Sequence, residues 1–452
     1  MNECRILSPL GMLGYGFPPE SLARGLARGP HLIGADAGST DGGPHKLGAG
    51  VGIVSRAASR KDLGLLLRGG LDTGAPVVIG SAGGSGARAH LAWTREILED
   101  LIREDGRRVR VAYVHAELDK EHLKAELGAG RVHPLRNVPP LTDKAIDSAT
   151  AIVGQMGAEP IIRALAAGAQ VVVAGRAYDP ACFAAYAIWK GFPAGLSWHL
   201  GKILECGALC AVPGSAGDSM WGVLRHDGFT LEPLNPARAC TETSVAAHTL
   251  YEKSHPYLLP GPGGMLDLSR TTFRQVSDRV VEVKGSEFVA SRPYTVKLEG
   301  AELVAYRAVL MCGVRDPALI AVLPAAEAAV VARTRDYFDR IPPSEYQILF
   351  HHYGLDAVMG GSEPRQDAVP HEVGLIMEVV APTQELADTI CAFARATLMH
   401  HHYEGRKATA GNLALPFAPS DVPLGPVYRF NVYHVLEVED PCALFPLELV
   451  EY

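Results

Sequence analysis

A chain of 452 residues with 48% hydrophobic and 20% charged side chains exceeds one typical core, so two domains are expected and a disordered or fibrous protein is excluded. Its net charge of -8 and isoelectric point near 6.1, with no run of Lys and Arg, leave no footprint for nucleic acid. The eight cysteines form no CxxC pair, no basic segment and apolar run open the chain, and no stretch approaches a membrane span. A disulfide scaffold, a zinc ribbon and a membrane partner are therefore not expected, and the expected location is the cytoplasm.

Residues 1–215 repeat one grammar: an apolar β-rich run, a glycine-rich turn, then a helical pattern. His31–Ala35 leads into GADAGSTDGGPHKLGAG, Ala75–Gly80 into SAGGSGARAHLAWTREILEDLI, and Val109–His115 into DKEHLKAEL. A fourth unit has a helix at Ile161–Ala167, a buried strand at Gln170–Ala174, the loop GRAYDP and the helical ACFAAYAIW. This predicts an α/β, parallel doubly wound, Rossmann-like N-terminal domain. Between residues 211 and 240 the composition turns to Pro, Gly and polar residues, which reads as a long functional loop or as a domain boundary, set at 215/216. Beyond it RVVEVKGSEFVAS and YTVKLEGAELVAYRAVLMCGV alternate as antiparallel strands, and a helix is expected over Ala325–Arg340. HEVGLIMEVVAP, TQELADTICAFARATLMHHH and YRFNVYHVLEV then read as strand, helix, strand. Residues 216–452 are thus expected to form an α+β domain that completes the cleft.

Ligands of open parallel sheets bind where the carboxyl ends of the strands converge, so the loops there are the candidates. Gly80–Gly86 (GSAGGSG) contains Gly80, Ser81, Gly83, Gly84, Ser85 and Gly86 between a strand and a helix. Its N–H groups can cradle an anion, or the glycines simply make a tight turn. Asp36 and Asp41, with Ser39, Thr40 and His45 nearby, can hold Mg²⁺ or supply a general base, or can cap neighbouring N–H groups. Arg176 and Asp179 read either as a carboxylate clamp or as a structural pair. Lys202 and Cys206, at i and i+4 with Glu205 between them, share one helical face; Cys206 and Cys210 in this Ala-rich stretch read as packing, with a catalytic Cys206 as the alternative. Of His400–His402, at most one or two can face a common ligand, and a helix C-terminus favours imidazolium by itself. The loop 405–421 carries Arg406, Asn412 and Asp421 between apolar flanks and is expected to reach the pocket.

These loops in this order, from GADAGSTDGGPHKLG through IGSAGGSGARAHLAW, VGQMGAEPIIRALAAGAQVVVAGRAYDPACFAA and HLGKILECGALCA to VVAPTQELADTICAFARATLMHHHYEGRKATAGNLALPFAPSD and RFNVYHV, resemble the acyclic terpene utilisation AtuA family over nearly the whole chain. The resemblance implies catabolism of acyclic terpenes through branched unsaturated acyl-CoA thioesters, or of related small carboxylates. Carried over position by position, the family pattern falls on Asp36, Ser39 and Asp41, Gly80–Gly84, Gln155 and Glu159, Arg176 and Asp179, Lys202, Glu205 and Cys206, Arg315, His400, Arg406 and Asn412. His45 and Lys46 depart from that pattern. The resemblance also implies a separate small subunit, since the closing DPCALFPLELVEY lacks the leucine-rich, Lys-Asn-containing domain of relatives. A homo-oligomer is expected.

Anion cradles, carboxylates and Arg without a nucleophile–His–Asp signature or nucleotide fingerprint point to a hydratase-type lyase. Its substrate would be a branched unsaturated carboxylate or its CoA thioester, with CoA only as part of the substrate. Asp36, Asp41, Asp179, Lys202 and Glu205 would carry the chemistry and the remaining residues would bind substrate. The alternative is a non-catalytic subunit that binds an acyl substrate for a partner enzyme.

Overall fold

In chain order the first nine strands are Cys4–Ser8 (β1), Leu32–Asp36 (β2), Val77–Gly80 (β3), Arg110–Val114 (β4), Val132–Pro134 (β5), Ala149–Gln155 (β6), Val171–Ala174 (β7), Met220–Leu224 (β8) and Phe229–Pro233 (β9). The computed structural model describes residues 1–407 and 410–452. β1, β2, β3, β7 and β4 lie side by side in that order, all parallel. Every residue of β2, β3 and β7 is buried, which is why these runs read as continuously apolar rather than alternating.

Side-chain direction nevertheless alternates, and it divides the core in two. Leu32, Val78, Ala112 and Val172 pack with Phe183, Leu200 and Ile203 of the helices Ala181–Trp189 and Ala194–Leu204. Their neighbours Ile33, Ile79, Val111 and Val173 pack with Leu63, Leu66, Ile97 and Leu98 of Arg56–Thr73 and Arg88–Asp105. Each fully buried branched side chain contributes roughly 1.5–3 kcal/mol, so both faces must be covered. The chain steps outward from β1 to β4, then returns to place β7 between β3 and β4. That reversal is a topological switch point, with the carboxyl ends of the five parallel strands along one edge.

The result is a mixed α/β fold with a large sheet only part of which is parallel. β8 pairs antiparallel with β1 and β9 with β8, while Leu447–Glu451 closes the other side against β4. By contacts the chain forms one unit of residues 1–302 and 430–452 and a second of 303–429. In the large sheet the strands before residue 215 pair parallel with one another and those from β8 on pair antiparallel, and residues 216–302 lie in the first unit because β8 and β9 extend its sheet. In that unit the first part of the long strand Tyr294–Val314 pairs with β6, Lys297 opposite Gln155 and Glu299 opposite Val153.

The second unit pairs the rest of that strand with Val373–Ala381, and Val373–Ala381 with Gln347–Tyr353, all antiparallel. The helices Leu323–Tyr337 and Gln384–His400 bury Leu323, Val330, Ile390 and Leu398 in its core. Among the described residues one helical stretch, Pro317–Tyr337, is long and apolar enough to cross a membrane by composition. Its Leu319, Leu323, Ala326 and Val330 are instead buried in that core.

Candidate functional site

The loops that follow β2, β3 and β7 are joined through their backbones. Ala37 N–H donates to Gly80 O at 2.9 Å, Ser81 N–H to Gly175 O at 3.1 Å and Ala82 N–H to Ala174 O at 2.9 Å. The approach is so close that a Cβ on Gly86 would lie 2.0 Å from Arg176 N, and one on Gly38 2.9 Å from Gly84 Cα. Only glycine fits there. Gly84 and Gly86 donate to Ser81 O and Ala82 O, and the helix begins at Arg88, whose N–H donates to Glu117 Oε2 at 2.8 Å. Most of the Gly80–Gly86 amides are therefore engaged by protein, while the buried Ser85 Oγ has no partner.

Arg176, 1% exposed, lies at the centre of this edge. Its Nε donates to Glu299 Oε2 at 2.8 Å, and its Nη1 to Asp179 Oδ1 at 2.8 Å, Ala177 O at 2.7 Å and Ser81 Oγ at 3.1 Å. Ser81 holds a left-handed φ of 48°, a strained conformation for a serine that these contacts fix. Glu299 also accepts from Thr40 Oγ1 at 2.7 Å and pairs with Lys297 Nζ at 2.6 Å. Burial works to raise its carboxyl, but Arg176 and Lys297 outweigh burial and hold it at about 2.

Asp36 is the counterpoint. Its Oδ2 accepts the Gly38 N–H at 3.1 Å, an Asx turn, while its buried Oδ1 has no partner. Burial, and then the charges of Asp179 and Glu205, push this carboxyl well above the usual range against the pull of Arg176. Its surroundings therefore favour the protonated form of Asp36.

Lys202 ends the helix Ala194–Leu204 and pairs with Glu205 Oε1, both buried. Glu205 Oε2 is buried without a partner. Burial raises Glu205 to about 7 against Lys202, with Asp179 adding to the rise. Lys253 Nζ lies 3.3 Å from Tyr178 OH and 5.3 Å from the centre of its ring; burial and then Lys202 lower its basicity. Burial and Glu205 raise the Cys206 thiol, so it is not a thiolate. His199 and His248 are held neutral, at about 3 and about 4, by burial and by Lys202. One edge of the sheet thus carries a buried acid, a carboxyl poised near neutrality and several lysines.

A family model described as acyclic terpene utilisation family protein AtuA matches residues 70–231 and 232–417. The chain belongs to the AtuA family. Membership suggests a role in terpene utilisation. Neither a curated protein nor a solved structure matches the chain. Within the AtuA span lie Gly80–Gly86, Arg176, Asp179, Lys202, Glu205, Lys253 and Glu299; Asp36 precedes it.

Of the residues singled out in the sequence, the structure brings Asp36, Ser81, Arg176, Asp179, Lys202 and Glu205 to this edge. Asp41 is exposed, its N–H donating to Ser39 Oγ at 3.1 Å, and His45 is exposed as well. Gln155 is buried on β6, and Glu159 accepts from Tyr294 OH at 2.8 Å. Arg315 meets His371 Nδ1 at 3.3 Å and His400 is exposed, both in the second unit. There too Asn412 Nδ2 donates to Leu398 O at 3.0 Å and His401 O at 2.8 Å, and Arg406 Nη2 to Ala410 O at 2.8 Å. Asp421 pairs with Arg395 at 2.9 Å. Of the loop 405–421, residues 408 and 409 lie outside the described residues.

The sequence reading missed Glu299, Lys297, Lys253 and Tyr178. Lys297 and Glu299 do share one face of a strand by their spacing, and that was the available signal. Among the described residues no group of three or more His, Cys, Asp and Glu side chains is placed to hold a metal ion. A cavity of about 250 Å³ at the amino ends of β3 and β7, lined by Val77, Gln170, Val171, Trp189 and Lys190 among others, has no carboxylate in its lining.

Proposed function

We propose that this chain is a hydratase-type lyase of acyclic terpene utilisation, adding water to, or removing it from, the double bond of a branched unsaturated acyl compound. The observation that supports it is the pair of buried carboxyls with unpartnered oxygens, Asp36 Oδ1 and Glu205 Oε2, at one sheet edge, both raised by burial, Glu205 to about 7. Two carboxyls whose surroundings separate their roles suit acid–base chemistry.

In the hydration direction Glu205, ionised above about pH 7, takes a proton from water as the water oxygen bonds the β-carbon. The double-bond pair moves to the α-carbon and carbonyl as an enolate, which the ammonium groups of this edge stabilise. The Asp36 carboxylic acid then donates its proton to the α-carbon, and the proton held by Glu205 restores Asp36 through solvent. The net change is one water added.

A second reading, a binding subunit without turnover, is favoured by the engagement of Glu205 Oε1 and Arg176 with protein partners. Turnover of a panel of branched unsaturated acids and their CoA thioesters separates the two. The hydratase reading expects Asp36→Asn and Glu205→Gln to lose about a hundredfold or more in kcat with ligand affinity within a few-fold. A wild-type protein that binds these compounds and turns none over supports the binding subunit.

A further inference from the structure

We propose that Lys253 holds a free carboxylate of the substrate, so that the site takes small branched unsaturated acids and their hydroxy-acid partners rather than thioesters. This rests on the acid–base reading of the same edge and goes beyond it by fixing the substrate class and the group that recognises it.

Arg176 has Glu299 and Asp179 at 2.8 Å each, Lys297 has Glu299 at 2.6 Å, and Lys202 has Glu205. Lys253 makes no ion pair among the described residues, and its polar contact is the neutral Tyr178 hydroxyl at 3.3 Å. An ammonium has three donors, and one long contact to a phenol leaves it under-satisfied in a half-buried setting. Burial and the repulsion of Lys202 lower its basicity against the pull of Glu205, Asp179 and Glu252, none of which forms an ion pair with it. A ligand carboxylate would form that pair, with a charge-assisted hydrogen bond.

The oxygens complete the match. Glu205 Oε2 and Asp36 Oδ1 are both buried and unpartnered in residues only 6% exposed. A hydroxyl on the ligand can donate to the first and, when Asp36 carries its proton, accept from the second. Carboxylate and hydroxyl on one small molecule describe a hydroxy acid, the hydrated partner of an unsaturated acid. A CoA thioester offers an uncharged carbonyl at its acyl end and carries its charge on distant phosphates, which leaves Lys253 without its counter-ion.

Calorimetric titration of the full chain with β,β-dimethylacrylate, its primary amide and its CoA thioester tests this. The acid should bind, with the amide at least about tenfold weaker because the charge-assisted contact is lost. Lys253→Met should remove that preference by weakening the acid alone, and Lys253→Arg should keep most of it. If Lys253→Met does not fold, the acid-to-amide ratio in the wild type and in Lys253→Arg still decides. Equal binding of acid and amide, acid affinity unchanged in Lys253→Met, or a thioester that binds as tightly as the acid would overturn the proposal. Lys253-dependent binding of the acid without turnover of any compound removes the hydratase reading alone; turnover of the thioester unaffected by Lys253→Met removes this inference alone.

Discussion

At the scale of single residues, the arrangement turns on charges that would be costly without their partners. Arg176 was readable as a clamp or a pair, and its hydrogen bonds go to Glu299, Asp179, Ser81 and Ala177. Its principal partner was not legible, because a Lys and a Glu alternating with apolar residues look the same whether their face meets solvent or a buried arginine. Glu299→Gln should cost about 3 kcal/mol, the lower end for breaking a buried pair, since Arg176 keeps Asp179; urea denaturation measures it, and a loss under about 0.5 kcal/mol would place Glu299 among exposed pairs instead. Glu205 carries a kinetic expectation of its own. With its carboxyl at about 7, the hydration rate should rise as pH passes through that value, and the rise should vanish in Glu205→Gln. A flat profile between pH 5 and 8 in the wild type, about the window in which a near-neutral group titrates, would deny Glu205 the role of base.

At the scale of elements, the loops were legible by their glycines but not by what the glycines are for. Gly80–Gly86 reads in sequence as an anion cradle or a tight turn, and its backbone is joined to the end of β7 at van der Waals limits. Composition cannot separate these readings, since both need close backbone approach. Gly86→Ala, which puts a Cβ 2.0 Å from Arg176 N at a φ of +66°, should destabilise by more than about 4 kcal/mol or prevent folding. Unchanged thermal stability would show that the two loops are not held together in this way. In the second unit Asn412 had the polar look of a ligand contact, yet its amide caps the carbonyls that end Gln384–His400. Asn412→Ala should therefore lower stability by about 1–2 kcal/mol, read by chemical denaturation, through lost caps on that helix. The helix expected over Ala325–Arg340 runs Leu323–Tyr337, a shift at its ends of the size that fraying termini produce.

At the scale of the whole molecule, strand-turn-helix grammar revealed the parallel strands, because burial on both faces writes apolar runs into the sequence. It did not reveal that β8 and β9 return to β1, since long-range antiparallel pairing leaves only alternation behind. Nor did it show Lys253 and Glu299 joining the edge from residues outside the four strand-turn-helix units. The buried carboxyls give the molecule opposing pH responses. Glu205, raised to about 7, makes the folded state bind the extra proton, so its contribution is full below the unfolded value of about 4.3 and is lost as pH rises through 7. Glu299, held at about 2, contributes fully above that unfolded value and loses its contribution as pH falls toward 2. Unfolding free energies from urea series should thus show a wild-type decline from pH 5 to 8 that exceeds the decline in Glu205→Gln by on the order of 2 kcal/mol, the remainder belonging to the raised Asp36 carboxyl. The most direct test of the central claim, acid–base addition of water at this edge, is proton NMR of β,β-dimethylacrylate and its CoA thioester incubated with the protein in deuterium oxide. The wild type should give a hydroxylated product bearing deuterium at the α-carbon, reduced by about a hundredfold or more in Asp36→Asn and Glu205→Gln. Neither hydration nor α-deuteration by the wild type, or equal rates in the variants, would contradict it.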